Sequence, residues 1–273
     1  MIAALRTEYR KLVSTRLWWI LLLTMVAYMV FLAAIMAYVL VRDPSSIGGG
    51  LPRANAQVAR TPTSVARTVY TLATSLGYVF PVTVGALSMT AEFRHQTITP
   101  TLLAEPRRTV VLVAKMLSTV VVGLLFGVVG TLATVGAGAG VLRLQGKDAY
   151  LSDPIVLRSA GLSVLALTVW TVVGVGFGTL LTNQVAVIVV LLAFTQFVEP
   201  ILRLVLAQFD WSAGVSKYLP GAAGEAITGS SFYADSGLAA GLLPSWQGLA
   251  VLAGYGLAFA VLGRATALRN DIT

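Results

Sequence analysis

Long apolar runs constrain this chain more than any other feature. Residues 17–41 form a run of 25 positions without a charge, and a helix needs about 20 apolar residues to cross a bilayer. The run is too long for the core of a signal peptide, and no obvious small-residue cleavage site accompanies it. It therefore predicts a retained first membrane span.

Five further apolar runs follow, and together the six predict an all-helical integral membrane protein. No stretch between them is long enough for a typical separate domain, so we predict a single transmembrane domain over residues 1–273. The spans are expected at residues 17–41, 69–91, 116–141, 159–181, 185–207 and 246–263.

Composition agrees with this interpretation. Hydrophobic residues make up 57% of the chain and charged residues 11%, whereas soluble domains carry roughly 25% charged residues. The net charge of +8 comes mostly from residues that flank the apolar runs, which favours contact with membrane lipid over nucleic acid. Six spans place both termini on one side. Basic residues are denser in the segments on that side, which predicts cytoplasmic termini.

The chain lacks the residues of common catalytic sites. It has one histidine, His95, and no cysteine, so the usual ligands of a transition-metal site are missing. It contains neither a phosphate-binding loop nor a nucleophile elbow. We therefore predict that this chain is not catalytic alone and holds no cofactor of its own.

The first 16 residues are basic but also periodic. Leu5, Tyr9 and Leu12 recur at helical spacing, which suits a helix lying in the headgroup plane. The alternative, a solvated basic N-terminus, stays open.

Two spans carry polar residues. In the second, Thr71, Ser75 and Tyr78 share a helical face, and Pro81 is expected to kink the helix. In the fifth, Gln196, Glu199 and Arg203 share a face. Since a charge at membrane depth is costly, Glu199 should pair with Arg203 or line a path, and both interpretations stay open.

Three smaller expectations concern the middle of the chain. Lys115 is expected to snorkel from the end of the third span. The pairs Gly123/Gly127 and Gly174/Gly178 favour close internal helix packing over a dimer motif. A short helix against the membrane fits the charged segment 92–109, although spacing alone favours a generic connecting loop.

Several stretches together resemble a known family. They are ALRTEYRKLVSTR at residues 4–16, TAEFRHQTITPTLLAEPRR at 90–108, LTNQ at 181–184, YLPGAA at 218–223 and RNDI at 269–272. In this order they resemble the membrane subunit of type 2 ATP-binding-cassette exporters. Pro100 departs from the family pattern and predicts an early end to the loop helix.

The resemblance implies an assembly in a bacterial plasma membrane. Two permease subunits, identical or homologous, would work with two separate ATPase subunits that hold ATP and Mg²⁺. The exported substrate would be a drug-like, peptide or lipid-like molecule. The segment 208–245 would be re-entrant near the outer face.

The resemblance also assigns residues. ATPase coupling falls to Glu92, Phe93, Arg94, His95, Thr97, Leu102, Leu103 and Pro106. The interfacial "elbow" helix would contain Leu5, Tyr9, Lys11, Leu12 and Arg16. The substrate path is expected to be bordered by Thr71, Ser75, Tyr78, Gln196 and Glu199. Substitution of Glu92 or Arg94 is predicted to uncouple transport without preventing membrane insertion.

Two other classes remain open at this point. One is a stand-alone membrane transporter or scaffold without an ATPase. The other, an intramembrane enzyme, is disfavoured by the missing catalytic motifs.

Overall fold

A computed structural model describes residues 2–42, 61–209, 212–235 and 241–267. Regular structure throughout these ranges is helical. The helices are α1 (Ile2–Ser14), α2 (Leu17–Arg42), α3 (Pro62–Tyr70), α4 (Leu72–Ser75), α5 (Val79–Arg94), α6 (Ile98–Ala104), α7 (Arg108–Leu144), α8 (Pro154–Leu180), α9 (Gln184–Ala193), α10 (Glu199–Leu206), α11 (Ala213–Ser216), α12 (Pro220–Thr228), α13 (Phe232–Asp235) and α14 (Ser245–Ala265).

Five helices in the described ranges are long and apolar enough to cross a membrane. They are α2, α7, α8, α14 and the 23-residue helix Gln184–Leu206, in which a π-helical turn at Phe194–Val198 joins α9 to α10. The predicted all-helical, membrane-embedded character is confirmed, with five such helices in these ranges.

The expected second span, residues 69–91, is not one continuous helix. It is divided among α3, α4 and α5, with a break at residues 76–78. Pro81 lies in the first turn of α5, where its missing N–H removes no helical hydrogen bond. The chain therefore breaks before Pro81 instead of kinking at it. At the break, a Cβ on Gly77 would lie 2.8 Å from Met29 Sδ of α2, so α2 approaches closely there.

Local sequence sets where the long helices begin. The Asp153 side chain accepts hydrogen bonds from the backbone N–H of Ile155 at 2.8 Å and of Val156 at 3.3 Å, immediately before Pro154 opens α8. Asn183 caps α9 in the same way. Such side chains satisfy N–H groups that lack a partner in the first helical turn.

The core is centred on α8, which packs against α5, α7 and α14. Glycines permit this close approach: a Cβ on Gly174 would collide with the Val82 carbonyl of α5, and one on Gly127 would lie 2.7 Å from the Val164 carbonyl of α8. Both glycine pairs thus contact helices of the same chain, in agreement with the internal packing predicted from their spacing. Tyr78 stacks on Trp170 at a centroid distance of 4.4 Å within this core.

The segment before α14 includes a buried helix. α12 packs on α8 and α14, and its residues from Gly221 to Thr228 are all buried. It begins at Pro220 and ends at Thr228, and the next residue, Gly229, has a φ of +68°, which suits a glycine after a helix. The side chain of Arg67 from α3 donates hydrogen bonds to the carbonyls of Thr228 and Gly229 at that end.

Candidate functional site

Charged side chains from three helices and a threonine hydroxyl from a fourth converge where α5 ends and α7 begins. We call this set the charged junction: Glu8 and Lys11 of α1, Glu92 of α5, Thr101 of α6 and Lys115 of α7. Because α1 is remote from the others in sequence, the junction connects the N-terminal helix to the centre of the chain.

Each ammonium group of the junction contacts both carboxylates. Lys115 Nζ donates to Glu8 Oε2, to Glu92 Oε1 at 2.6 Å and to the Ser88 carbonyl at 3.1 Å. Lys11 Nζ donates to Glu8 Oε1 at 2.9 Å, to Glu92 Oε1 at 3.0 Å and to Thr101 Oγ1 at 2.9 Å. Two positive and two negative charges therefore balance within one network.

Burial makes these ion pairs structurally important. The side chains of Lys115, Glu8 and Glu92 are 2%, 3% and 5% exposed, whereas that of Lys11 is 35% exposed. Burial raises the pKa of Glu8, but attraction to Lys115 and hydrogen bonds from both lysines outweigh that effect and lower it overall. Burial lowers the pKa of Lys11, and its bonds to the two carboxylates reverse this and raise it.

Two expectations for this region are wrong. Lys115 lies in the second turn of α7 and points into the junction, so it does not snorkel to the membrane surface. The reason is the pair of buried carboxylates, which offers it better partners than headgroup water. Pro100 lies in the first turn of α6, a position that tolerates proline, so it does not end the loop helix early.

The loop before α6 turns sharply at Gln96, which adopts a φ of 55°. The backbone N–H of Thr97 then donates to the Glu92 carbonyl at 2.9 Å, so α6 begins close to the end of α5. Ile98 is buried against Met89, with Phe93 and Leu102 packed around them. This small apolar cluster fixes α6 on the bundle.

The residues that the family resemblance assigned to coupling divide into two groups. Glu92 is buried, and Phe93 and Leu102 are half-buried. The others are exposed, and Leu103 is 78% exposed. The exposed members are Arg94, His95, Thr97, Leu103 and Pro106. Glu92 is thus a buried ion-pair partner in the structure, whereas Arg94 is exposed and donates to Gln184 Oε1 at 3.1 Å.

The predicted elbow residues lie on α1 and just after it. Leu12 packs against the main core, Leu5 and Lys11 are half-buried, and Tyr9 and Arg16 are exposed. Leu12 and Lys11 therefore attach α1 to the bundle.

A second buried charge cluster connects the helix Gln184–Leu206 to α12. Arg203 Nη2 contacts Glu199 Oε1 at 2.8 Å, and Arg203 Nη1 contacts Glu225 Oε2 of α12 at 2.6 Å. The Ala222 N–H donates to Glu199 Oε1 at 3.1 Å. The predicted Glu199–Arg203 pair is present, and Glu225 adds a second carboxylate.

Most of the predicted path residues are enclosed. Thr71 donates to the Arg67 carbonyl at 3.0 Å, and Tyr78 donates to the Thr195 carbonyl at 3.3 Å. Thr71, Ser75, Tyr78 and Glu199 are buried, and Gln196 is half-buried. Tyr78 thus meets the π-helical turn next to Gln196, whereas Thr71 lies on the other side of the helix break.

Sequence reasoning missed Glu8, Glu225 and Arg67. Glu8 is the only acidic residue among the first 42 positions, and Glu225 stands alone among small residues in PGAAGEAIT. For both, the sequence signal of a buried ion pair was an isolated acidic residue in a basic or apolar segment. Arg67 gave no such signal, because its partners, the Ser159 hydroxyl and two carbonyls after α12, lie far along the chain.

The chain matches no known protein-family model and no curated protein. The fold itself defines the class, an all-helical membrane-embedded protein with two buried charge clusters.

Proposed function

We propose that this chain is the permease subunit of an ATP-binding-cassette exporter in a bacterial plasma membrane. The observation that supports this most is α6: a short helix with an exposed outer surface, fixed at its base to three other helices. Thr101 binds Lys11, and the chain before α6 starts from Glu92 in the charged junction. A partner that docks on α6 would therefore move α1, α5 and α7 together.

The outer surface of α6 suits a protein partner. Leu103 is 78% exposed, and Glu105 and Arg107 form an exposed ion pair at 2.8 Å beside it. An apolar side chain within a charged rim is a common arrangement for protein recognition. ATP and Mg²⁺ would be bound by the ATPase partner, and a second permease subunit would complete the path for a drug-like, peptide or lipid-like substrate.

The test is co-purification with an ATPase. We expect the tagged chain, extracted in mild detergent, to retain a soluble subunit with a phosphate-binding loop. Leu103→Asp should abolish this retention, because it places a charge at the centre of the contact. Leu144→Asp is the matched control, since Leu144 is 87% exposed at the far end of α7. Absence of any ATPase from the wild-type preparation would contradict the proposal.

A stand-alone transporter is the second candidate, and the Glu199–Arg203–Glu225 cluster favours it. Ionisable residues within membrane helices often mark ion or proton pathways. Transport by the purified chain in vesicles without ATP, driven by an ion gradient, would favour this second candidate over the exporter.

A further inference from the structure

A cavity of about 460 Å³ adjoins the charged junction. It lies between α1, the beginning of α2 and the second half of α5. Both apolar side chains, such as Leu12 and Trp18, and polar ones line it. The polar ones include Lys11 of the junction and His95.

A second space of about 650 Å³ lies next to this cavity as a groove between α2, α5 and α9. The two are adjacent, because Leu17 and Leu87 line both of them. Arg16 lies on the groove wall next to Leu17. Beyond it the groove is apolar and includes Ile20, Phe80, Ile188 and Leu192.

The junction as a whole is neutral, and the free positive charge beside the cavity comes from Arg16. Glu8 and Glu92 also line the cavity, and Lys11 Nζ already donates to Glu8, Glu92 and Thr101, so its three N–H groups are in use. Arg16 is exposed on the groove wall and forms no ion pair within the described ranges. A ligand that spans the two spaces therefore meets one available cation, Arg16.

We propose that the cavity and groove together bind an anionic phospholipid from the adjacent leaflet. Its phosphate lies at Arg16, and an acyl chain lies in the groove along α2, α5 and α9. The order of residues along the wall matches the order of groups in the lipid, because Arg16 precedes the apolar groove as a headgroup precedes its chains. The location also fits, since α2 begins its membrane-spanning run at Leu17. This site does not depend on an ATPase partner.

Lipid is favoured over a soluble phosphate by the groove. A soluble phosphate would leave the apolar wall of the groove unused, whereas an acyl chain would cover it and gain affinity with each buried methylene. The Arg16 guanidinium adds electrostatic attraction that is specific for anionic headgroups.

Native mass spectrometry of the full chain, with any subunits that co-purify, tests the site. The probes are phosphatidylglycerol and phosphatidylcholine with the same acyl chains. We expect preferential retention of phosphatidylglycerol, and a loss of about fivefold in Arg16→Gln, the typical effect of one basic residue near an anionic headgroup. Ile188→Trp should also reduce retention, because the larger side chain fills the groove.

Matched controls separate this site from lipid bound around the whole protein. Arg10→Gln removes an exposed cation of α1 that does not line the cavity, and Val189→Trp adds bulk at an exposed neighbour of Ile188. Both should retain phosphatidylglycerol as the wild type does. Equal retention of the two lipids, equal loss in the controls, or displacement of the lipid by glycerol phosphate would overturn the proposal.

Discussion

Lys115 shows how strongly a single buried side chain can determine the structure around it. Its ammonium group is the only direct link between α7 and the carboxylates of both Glu8 and Glu92 in the described ranges. Breaking a buried ion pair by removing one partner is costly, because the remaining charge is left without compensation. The stability of this end of the bundle should therefore depend on it.

Lys115→Met should destabilise the protein by about 3–5 kcal/mol, the range typical of breaking a buried pair. The measurement is the temperature at which the protein in detergent loses its monodisperse elution peak. Lys147→Met serves as the control, because Lys147 is exposed in the loop between α7 and α8. If both variants melt alike, the junction does not stabilise the fold.

The junction also predicts a pH dependence. The pKa of Glu8 in the folded protein is lowered from the ordinary 4.5, so its contribution is present above that pH and is lost as the pH falls through the folded pKa. The pKa of Lys11 is raised above the ordinary 10.5, so its contribution is lost only as the pH rises through the folded value. Maximum stability is thus expected between these limits.

Melting temperatures at pH 7 and at progressively lower pH would measure the acid limb, which is the loss of stability as the pH falls. Glu8→Gln should flatten it, since the variant has no carboxylate at this position to protonate. Glu105→Gln is the comparison, because Glu105 forms an exposed pair with Arg107, and exposed pairs contribute little to stability. An unchanged acid limb in Glu8→Gln would refute the assignment.

At the scale of elements, glycines decide how closely the long helices pack. Gly85 of α5 and Gly174 of α8 face backbone atoms of the opposing helix. Backbone cannot move aside as a flexible side chain can, so a methyl group there must separate the helices. Tyr78, just before α5, stacks on Trp170 of α8 and donates a hydrogen bond to the π-helical turn. The α5–α8 contact therefore positions the helix break next to that turn.

Gly174→Ala should lower the melting temperature and cost about 1–3 kcal/mol, typical of overpacking. Gly161→Ala is the matched control in the same helix, because a Cβ at Gly161 meets nothing within 4 Å. The control should be neutral or slightly stabilising, since alanine favours helix more than glycine does. A stable Gly174→Ala variant would show that α5 and α8 are less closely packed.

The elements differ in how well the sequence predicts them. Long apolar runs predicted α2, α7, α8, α14 and the helix Gln184–Leu206, since length and hydrophobicity are local properties. The break at residues 76–78 was not predicted, because it depends on the approach of α2 at Gly77. Local spacing predicted the Glu199–Arg203 pair at i, i+4, but not the Glu225 that completes it.

At the scale of the whole molecule, the two charge clusters are separated along α5. Glu92 of the junction lies near the C-terminal end of α5, and Tyr78, just before its first residue, meets the π-helical turn that precedes Glu199. The 14 residues from Tyr78 to Glu92 would span roughly 21 Å as a helix. The π-helical turn that leads to the second cluster is therefore roughly 21 Å along α5 from the junction.

Sidedness can be tested directly, because the natural chain has no cysteine. α7 has 37 residues and a length of about 55 Å at 1.5 Å per residue, which exceeds the bilayer core of about 30 Å. We expect an impermeant maleimide to label Lys147→Cys in intact cells and Thr99→Cys only after permeabilisation. Labelling of both from the same side would show that α7 does not cross the membrane.

The ion pair between Glu8 and Lys115 also bears on how the protein is made. Its two partners are separated by 107 positions in the chain, so the ribosome completes α1, with Glu8 and its neighbour Lys11, long before Lys115 exists. During that interval α2 can already enter the bilayer, while Glu8 of α1 still lacks its partner from α7. The N-terminal helix is therefore among the first parts synthesised and can take its final position only after α7 has been inserted.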